Sequence, residues 1–331
     1  MIKFFRHIRK SLLEQNEMGK YFKYAVGEII LVVIGILIAL QINNWNTNRT
    51  KEKEAYNQLV EVQKEIVNNS IAFDDLGDFY FEKLKNIRRV FYDTLDIQDY
   101  KNNPGLRSIL GLINPIETQN EAFTKLIQNA ESLPDRYKIL VPNLKRLYNL
   151  SSLEEMYKAF MSDTNKYFES INEFATPMYF GKLDDYYQFL LTSKDYKNMI
   201  ALASANIDDL APELVKKKYS GITLYKKMLD LGFPDTDLQK IKSIYLDVTD
   251  TLAKSFTGKY TNSKDTLAIT FRDNKLIGTY TTFNYKDDIK IRDSLTLYFY
   301  RAYLEFNKDK SEFYDILDAK LPHYKKITTN D

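Results

Sequence analysis

The 331-residue chain contains no cysteine and only two histidines, His7 and His323. The first absence removes disulfide staples, thiol nucleophiles and cysteine-bound zinc; with two imidazoles, structural zinc loses its remaining ligands as well. It is compatible with both periplasm and cytosol. A histidine base would have to be His323, since His7 lies in the basic opening segment. Neither HExxH, GxxxxGK nor GxGxxG occurs, so zinc-protease, P-loop and dinucleotide chemistry have no support. Glycine (11) and proline (8) are scarce, which argues against low-complexity disorder. Charge is also nearly absent on balance: 47 Lys and Arg against 45 Asp and Glu give +2, leaving no global field to steer the chain to nucleic acid.

Against these absences stand a high aromatic content, 25 Tyr and 20 Phe, and one long apolar run. Ile29 to Leu40 is uncharged and mostly branched, and Ala25 to Ile42 is apolar apart from Glu28 and Gln41. Eighteen helical residues reach about 27 Å, close to the ~30 Å hydrocarbon layer. Phe22, Tyr24 and Trp45 flank the run, where aromatic rings favour the headgroup zone. A cleavable signal peptide is the rival reading, but cutting after Ala39 puts Leu37 where a small residue is required. The spacing therefore predicts a retained single-pass anchor. Six Lys and Arg precede the run (Lys3, Arg6, Arg9, Lys10, Lys20, Lys23) against three just beyond it (Arg49, Lys51, Lys53), which places the N-terminus in the cytoplasm.

Within the anchor, Gly27, Gly35 and Ala39 fall every four or eight residues on one smooth face suited to helix self-association. Glu28 is an ionisable group at membrane depth; it either reaches water near the inner interface or pairs with another membrane helix. Before the span, Ile2, Phe4, Phe5, Ile8 and Leu12 share one helical arc opposite Lys3, Arg6, His7 and Lys10. That reads either as an amphipathic helix on the anionic inner leaflet or as a plain positive-inside signal.

After Trp45 the apolar positions Leu59, Val62, Ile66, Phe73, Leu76, Tyr80, Leu84, Ile87 and Phe91 recur at three- and four-residue steps, predicting a long helix leaving the membrane and weakening near Gly77. Prolines at 104, 115, 134 and 142 cut the next stretch into short helices. Ser152 with Glu155 reads as a capping box for a further helix, and helical pattern resumes at Tyr196 to Leu202 and Pro212 to Leu231. From about Phe256 the period changes to two. Asp273-Asn274, Asp287-Asp288, Arg292-Asp293 and Asn307-Lys308-Asp309 punctuate alternating segments, predicting a small antiparallel β domain reaching about Ile327 and enclosing a core.

The opening MIKFFRHIRKSLLEQNEMGKYFKYAVGEIILVVIGILIALQINNWN resembles the start of an uncharacterised membrane-protein family abundant in Bacteroidota, whose members share the basic start, a GKY-like approach and the GEIILVVIGILIALQINNWN core. The resemblance is specific over roughly the first fifty residues. It implies an inner-membrane, periplasm-facing protein of a Gram-negative envelope and carries no activity or functional residue with it. Phe256 to Tyr260 and the strands after it also look like the small β domains appended to many exported proteins of that phylum.

The fold expected is α+β: residues 1–23 a cytoplasmic basic amphipathic segment, 24–45 a transmembrane helix, 46–252 a periplasmic all-α bundle, and 253–331 an antiparallel β-meander or barrel-like domain. Acidic pairs at Asp74-Asp75, Asp184-Asp185, Asp208-Asp209, Asp235 with Asp237 and Asp287-Asp288 lack EF-hand spacing and read as solvated faces or helix caps, as does Lys216-Lys217-Lys218. No catalytic, cofactor or metal residue is assigned. Named positions are limited to the anchor (Gly27, Glu28, Gly35, Ala39, Trp45) and the inner-leaflet contact (Lys3, Arg6, Arg9, Lys10). The expected role is a non-enzymatic, bilayer-anchored envelope protein binding another envelope component, with a homo-oligomer through the membrane helix as a further partner and no cofactor. The alternatives are a periplasmic sensor or binding module for a small molecule or glycan, and a hydrolase using carboxylates alone.

Overall fold

The computed structural model describes residues 18–327 except 236, 238, 242–249, 274, 283, 300–301, 317 and 319–321. The basic segment with Lys3, Arg6, Arg9 and Lys10 lies outside the described residues. One helix, α1 (Met18–Tyr92), runs unbroken for 75 residues, about 110 Å at 1.5 Å per residue. Its first part contains a stretch long and apolar enough to cross a membrane, none of which packs against the rest of the chain. Its second part is the opposite. Leu59, Val62, Ile66, Phe73, Leu76, Tyr80, Leu84 and Ile87 are all buried, as the periodicity predicts, while Phe91 remains exposed.

Gly77 does not interrupt α1. A Cβ placed there would touch Val215 at an ordinary 3.6 Å, and the roughly 1 kcal/mol propensity cost of one glycine is small beside the burial of its neighbours Phe73, Leu76, Tyr80 and Phe81.

Short helices follow: α2 (Ile97–Asn102), α3 (Pro104–Arg107), α4 (Glu121–Gln128), α5 (Asp135–Lys138) and α6 (Val141–Tyr148), then α7 (Ser151–Ser170), α8 (Ala175–Tyr179), α9 (Asp184–Thr192), α10 (Lys194–Asp230) and α11 (Asp250–Ser255). Asp96 and Asp99 form a reciprocal capping box for α2. The box expected at Ser152 and Glu155 is not formed: α7 begins two residues earlier, with Leu150 at its N-cap and the Ser151 hydroxyl donating to Asn149 Oδ1 at 2.7 Å.

Helix α10 is one 37-residue element with Pro212 inside it, where the pattern suggested two. Proline costs roughly 3 kcal/mol in a helix interior. Here Leu210, Ala211, Leu214 and Val215 are buried on both sides of it, and that burial outweighs one missing hydrogen bond. The helix packs against both α1 and α7. Gly221 abuts Ile66 and Ser70 of α1, and Phe233 stacks on Tyr56 at 5.0 Å, so α10 runs antiparallel to α1 and returns toward the apolar stretch.

Eight strands then form a closed up-and-down antiparallel barrel: β1 (Gly258–Thr261), β2 (Thr266–Arg272), β3 (Lys275–Tyr280), β4 (Tyr285–Ile291), β5 (Thr296–Phe299), β6 (Ala302–Phe306), β7 (Glu312–Asp315) and β8 (His323–Lys326). Closure comes from Tyr260 opposite Lys326 and Thr261 opposite Lys325. The interior is filled by side chains that include Tyr260, Leu267, Ile269, Leu297, Phe299, Leu304, Phe306 and Phe313, as an eight-stranded barrel of this width requires. Asp287-Asp288 is not a turn: both lie in β4, paired with Gly278 and Ile277, because the alternating Ile289 and Ile291 carry that segment into the barrel wall.

The barrel and the bundle share a seam. Tyr298, Tyr303 and Ile316 point out of the barrel into the bundle core, Tyr303 stacking on Phe81 at 4.1 Å. Strand β5 is thus buried on both faces.

Candidate functional site

Most polar side chains that enter the bundle are consumed by its architecture. Glu65 of α1 accepts the backbone N–H groups of Ala122 and Phe123 at 2.6 and 3.1 Å, capping α4 with a carboxylate where the helix dipole favours one. The Tyr148 hydroxyl donates to the same group at 3.1 Å while its ring stacks on Phe123 at 4.0 Å. Asn69 pairs its amide with the backbone of Gln119 in both directions, each at 2.8 Å. Lys83 donates to the carbonyls of Ser108 and Ile109 at 2.9 and 2.7 Å; burial pulls its pKa down to about 7, against those two carbonyls, which favour the charged form.

The triple lysine is not a solvated face. Lys216 pairs with Glu213 at the surface. Lys217 donates to the carbonyls of Arg146, Leu147 and Asn149, closing the end of α6. Lys218 is 1% exposed and donates to Asp74 Oδ1 at 2.6 Å. Arg292, in the turn between β4 and β5, also binds Asp74 and reaches Asp78. This Asp74–Lys218–Arg292–Asp78 network ties α1, α10 and the barrel together.

The acidic pairs resolve in different ways. Asp184 pairs with Lys101 at 2.7 Å, Asp235 accepts the Tyr225 hydroxyl at 2.7 Å, and Asp287 accepts that of Tyr285 at 2.9 Å. Asp208 is half-buried and has no hydrogen-bond partner among the described residues. It lines a cleft of about 370 Å³ where α1, α10 and the residues after β7 meet; the remaining lining includes Leu84, Ile87, Arg88, Phe91, Ile316 and Asp318. Burial first, then the charges of Asp209, Asp315 and Asp318, push the Asp208 carboxyl up to about 7. Opposite it, Arg88 Nε is buried without a hydrogen-bond partner. An apolar floor with a few convergent polar groups, one of them poised near neutral pH, has the make-up of a small-molecule site.

Arg88 and Asp318 were not singled out from the sequence, and Asp208 appeared there only within the Asp208-Asp209 pair, read as a solvated face or helix cap, whereas it lines the cleft. Of the anchor positions, Gly27 and Gly35 have open space where a side chain would sit. Ala39 and Trp45 are exposed, with Arg49 over the Trp45 ring at 5.5 Å. Glu28 is half-buried on α1. The structure brings none of these to the cleft. Among the described residues no three His, Cys, Asp or Glu gather as a metal cluster would need.

The model of a family of unknown function (DUF6090) matches residues 28–195, from the apolar stretch to the start of α10. No curated protein and no solved structure matches the chain.

Proposed function

From the premise that the chain belongs to the DUF6090 family of unknown function, we propose that it is a non-catalytic, single-pass protein of the inner membrane, with its N-terminus cytoplasmic and its bulk periplasmic, that holds a rigid bundle–barrel unit near the bilayer to bind another envelope component. The observation that carries this reading is the continuity of α1. The apolar stretch and the centre of the bundle are the same helix, and only Asn46 to Glu54, exposed or half-exposed throughout, separate Trp45 from the first buried residue, Ala55. A membrane helix joined in this way fixes the height and tilt of the unit it carries, as a flexible linker would not.

The test combines fractionation with in-cell crosslinking of the full chain. Retention in vesicles after alkaline carbonate, together with protection of the N-terminus and a defined crosslinked partner that is lost when residues 47–53 are replaced by a Gly-Ser linker, is the expected outcome. Release of the full-length chain by carbonate, or a mature N-terminus downstream of Leu40, overturns the anchored reading.

A second reading, a binding module for a small molecule or glycan, is favoured by the cleft at Arg88 and Asp208. Thermal-shift screening of the wild type and of a cleft filled by Ala201→Trp separates it from the first: ligand-dependent stabilisation lost only in the filled variant supports it.

A further inference from the structure

A second cleft, on the other side of the seam, has different chemistry. Its volume is about 310 Å³, and its lining is Asn143, Arg146, Tyr219, Ser220, Thr223, Leu224, Lys227 and Lys290. Three cations come from three elements, α6, α10 and β4, and no carboxylate lines it. In a chain whose net charge is +2, such a local excess is not a property of the surface at large. A neighbouring hollow shares Arg146, Tyr219, Ser220 and Lys290 and continues toward Lys216, with Asp287 and Asp288 at its far side.

The three cations are poorly neutralised. Among the described residues Arg146 and Lys227 have no carboxylate partner; Arg146 donates to Asn143 Oδ1 at 3.2 Å and Lys227 reaches only the Ile139 carbonyl at 3.4 Å. Lys290 stands 4.0 Å from Asp288, which Lys275 holds more closely at 3.0 Å. The cleft is also built. Lys217 binds the carbonyls of Arg146, Leu147 and Asn149 and so fixes the end of α6 against α10. The Tyr219 hydroxyl donates to the Ile291 carbonyl at 2.9 Å and fixes β4 beside it. Converging cations with hydroxyl and amide donors between them are what an oxyanion requires, since charge-assisted hydrogen bonds from several directions satisfy its oxygens.

We propose that the cleft bounded by Arg146, Lys227 and Lys290 is a binding site for a phosphate-bearing solute, its oxyanion held by the three cations and by the hydroxyls of Ser220 and Thr223. The site is independent of the cleft at Asp208 and of the identity of any protein partner. Its level along the molecule favours a solute over a lipid headgroup. Gly221 abuts Ile66 and Ser70, and Phe233 stacks on Tyr56, so Lys227 lies midway between those levels. That is about 25 Å along α1 beyond Trp45, roughly three Debye lengths at physiological salt.

The test titrates inorganic phosphate, pyrophosphate and glucose 1-phosphate into the detergent-solubilised full chain, followed calorimetrically and by ³¹P line broadening, with the same chain offered to vesicles containing anionic lipid. Wild type binds at least one of the phosphates, and Arg146→Gln, Lys227→Gln and Lys290→Gln each weaken it about tenfold, as loss of one charge-assisted contact demands. Lys158→Gln, exposed on α7 and outside the lining, leaves it unchanged. Unaltered circular dichroism shows that the variants fold. Absence of phosphate binding, equal weakening by Lys158→Gln, or vesicle binding that depends on the three cations while the soluble phosphates do not compete, overturns the proposal.

Discussion

Lys218 Nζ sits 2.6 Å from Asp74 Oδ1 with the lysine almost wholly buried, and Arg292 approaches the same carboxylate from the barrel. Burial pulls the Lys218 pKa down while Asp74 pulls it up. A buried pair of this kind returns little net stability against two hydrophobic residues, but removing one partner strands the other. Asp74→Ala is therefore expected to destabilise the protein by about 3–5 kcal/mol. Asp74→Leu combined with Lys218→Met recovers most of that loss. Urea denaturation of the wild type, Asp74→Ala, Asp74→Leu, Lys218→Met and the double variant decides the matter, and additive losses in the double variant would mean that the two groups do not act as a pair.

Glu65 makes a more local prediction. It is nearly buried and caps α4 through two N–H groups while receiving the Tyr148 hydroxyl. Glu65→Ala leaves those three donors without an acceptor, at a cost of about 2–3 kcal/mol. Hydrogen exchange should show Ala122 and Phe123 losing protection well before the core of α10. Unchanged exchange at those two amides would show that the cap is dispensable.

These two residues also show how far the fold is legible in the sequence. The apolar stripe from Leu59 to Ile87 and the alternation from Leu267 onward are periodic, local signals, and they give the long helix and the barrel. Gly77, Pro212 and Asp287-Asp288 mislead because packing on both sides of them overrides local preference by more than the 1–3 kcal/mol at stake. The clefts are not legible, for a different reason. Arg88, Asp208 and Asp318 are far apart in sequence and meet only through the antiparallel return of α10 and closure of the barrel. Likewise, Lys216, Lys217 and Lys218 are identical letters whose helical positions differ by about 100° each. One faces solvent, one a helix end, one the core, and nothing in the triplet says which.

The contact between α1 and α10 predicts an outcome opposite in sign to helix propensity. Gly221 lies inside α10, where alanine would ordinarily gain about 1 kcal/mol. A Cβ there would overlap the Ser70 hydroxyl, itself held by a 2.7 Å bond to the Ile66 carbonyl. Gly221→Ala should thus lower stability by about 1–2 kcal/mol through overpacking, and adding Ser70→Ala should restore it to the wild-type value or above. Thermal melts of the two variants test this; a stabilised single variant would show that the helices part freely at this point.

Asp208 gives the pH-dependent prediction. Its carboxyl titrates at about 7 in the folded protein against 3.8 for the free group, raised first by burial and then by Asp209, Asp315 and Asp318. Between those two values the folded state binds more protons than the unfolded state, so this group makes stability fall as pH rises through that window. Above pH 7 both states are ionised and the destabilisation is complete; below about 4 both are protonated and it vanishes. Asp208→Asn keeps the shape and removes the charge. It should stabilise the protein at pH 8 by about 1–2 kcal/mol, a discounted figure because the cleft is open to water. The gain should shrink steadily toward zero at pH 4. Differential scanning calorimetry across pH 4 to 8 reads it directly, and a gain that did not depend on pH would place its origin in packing instead of charge.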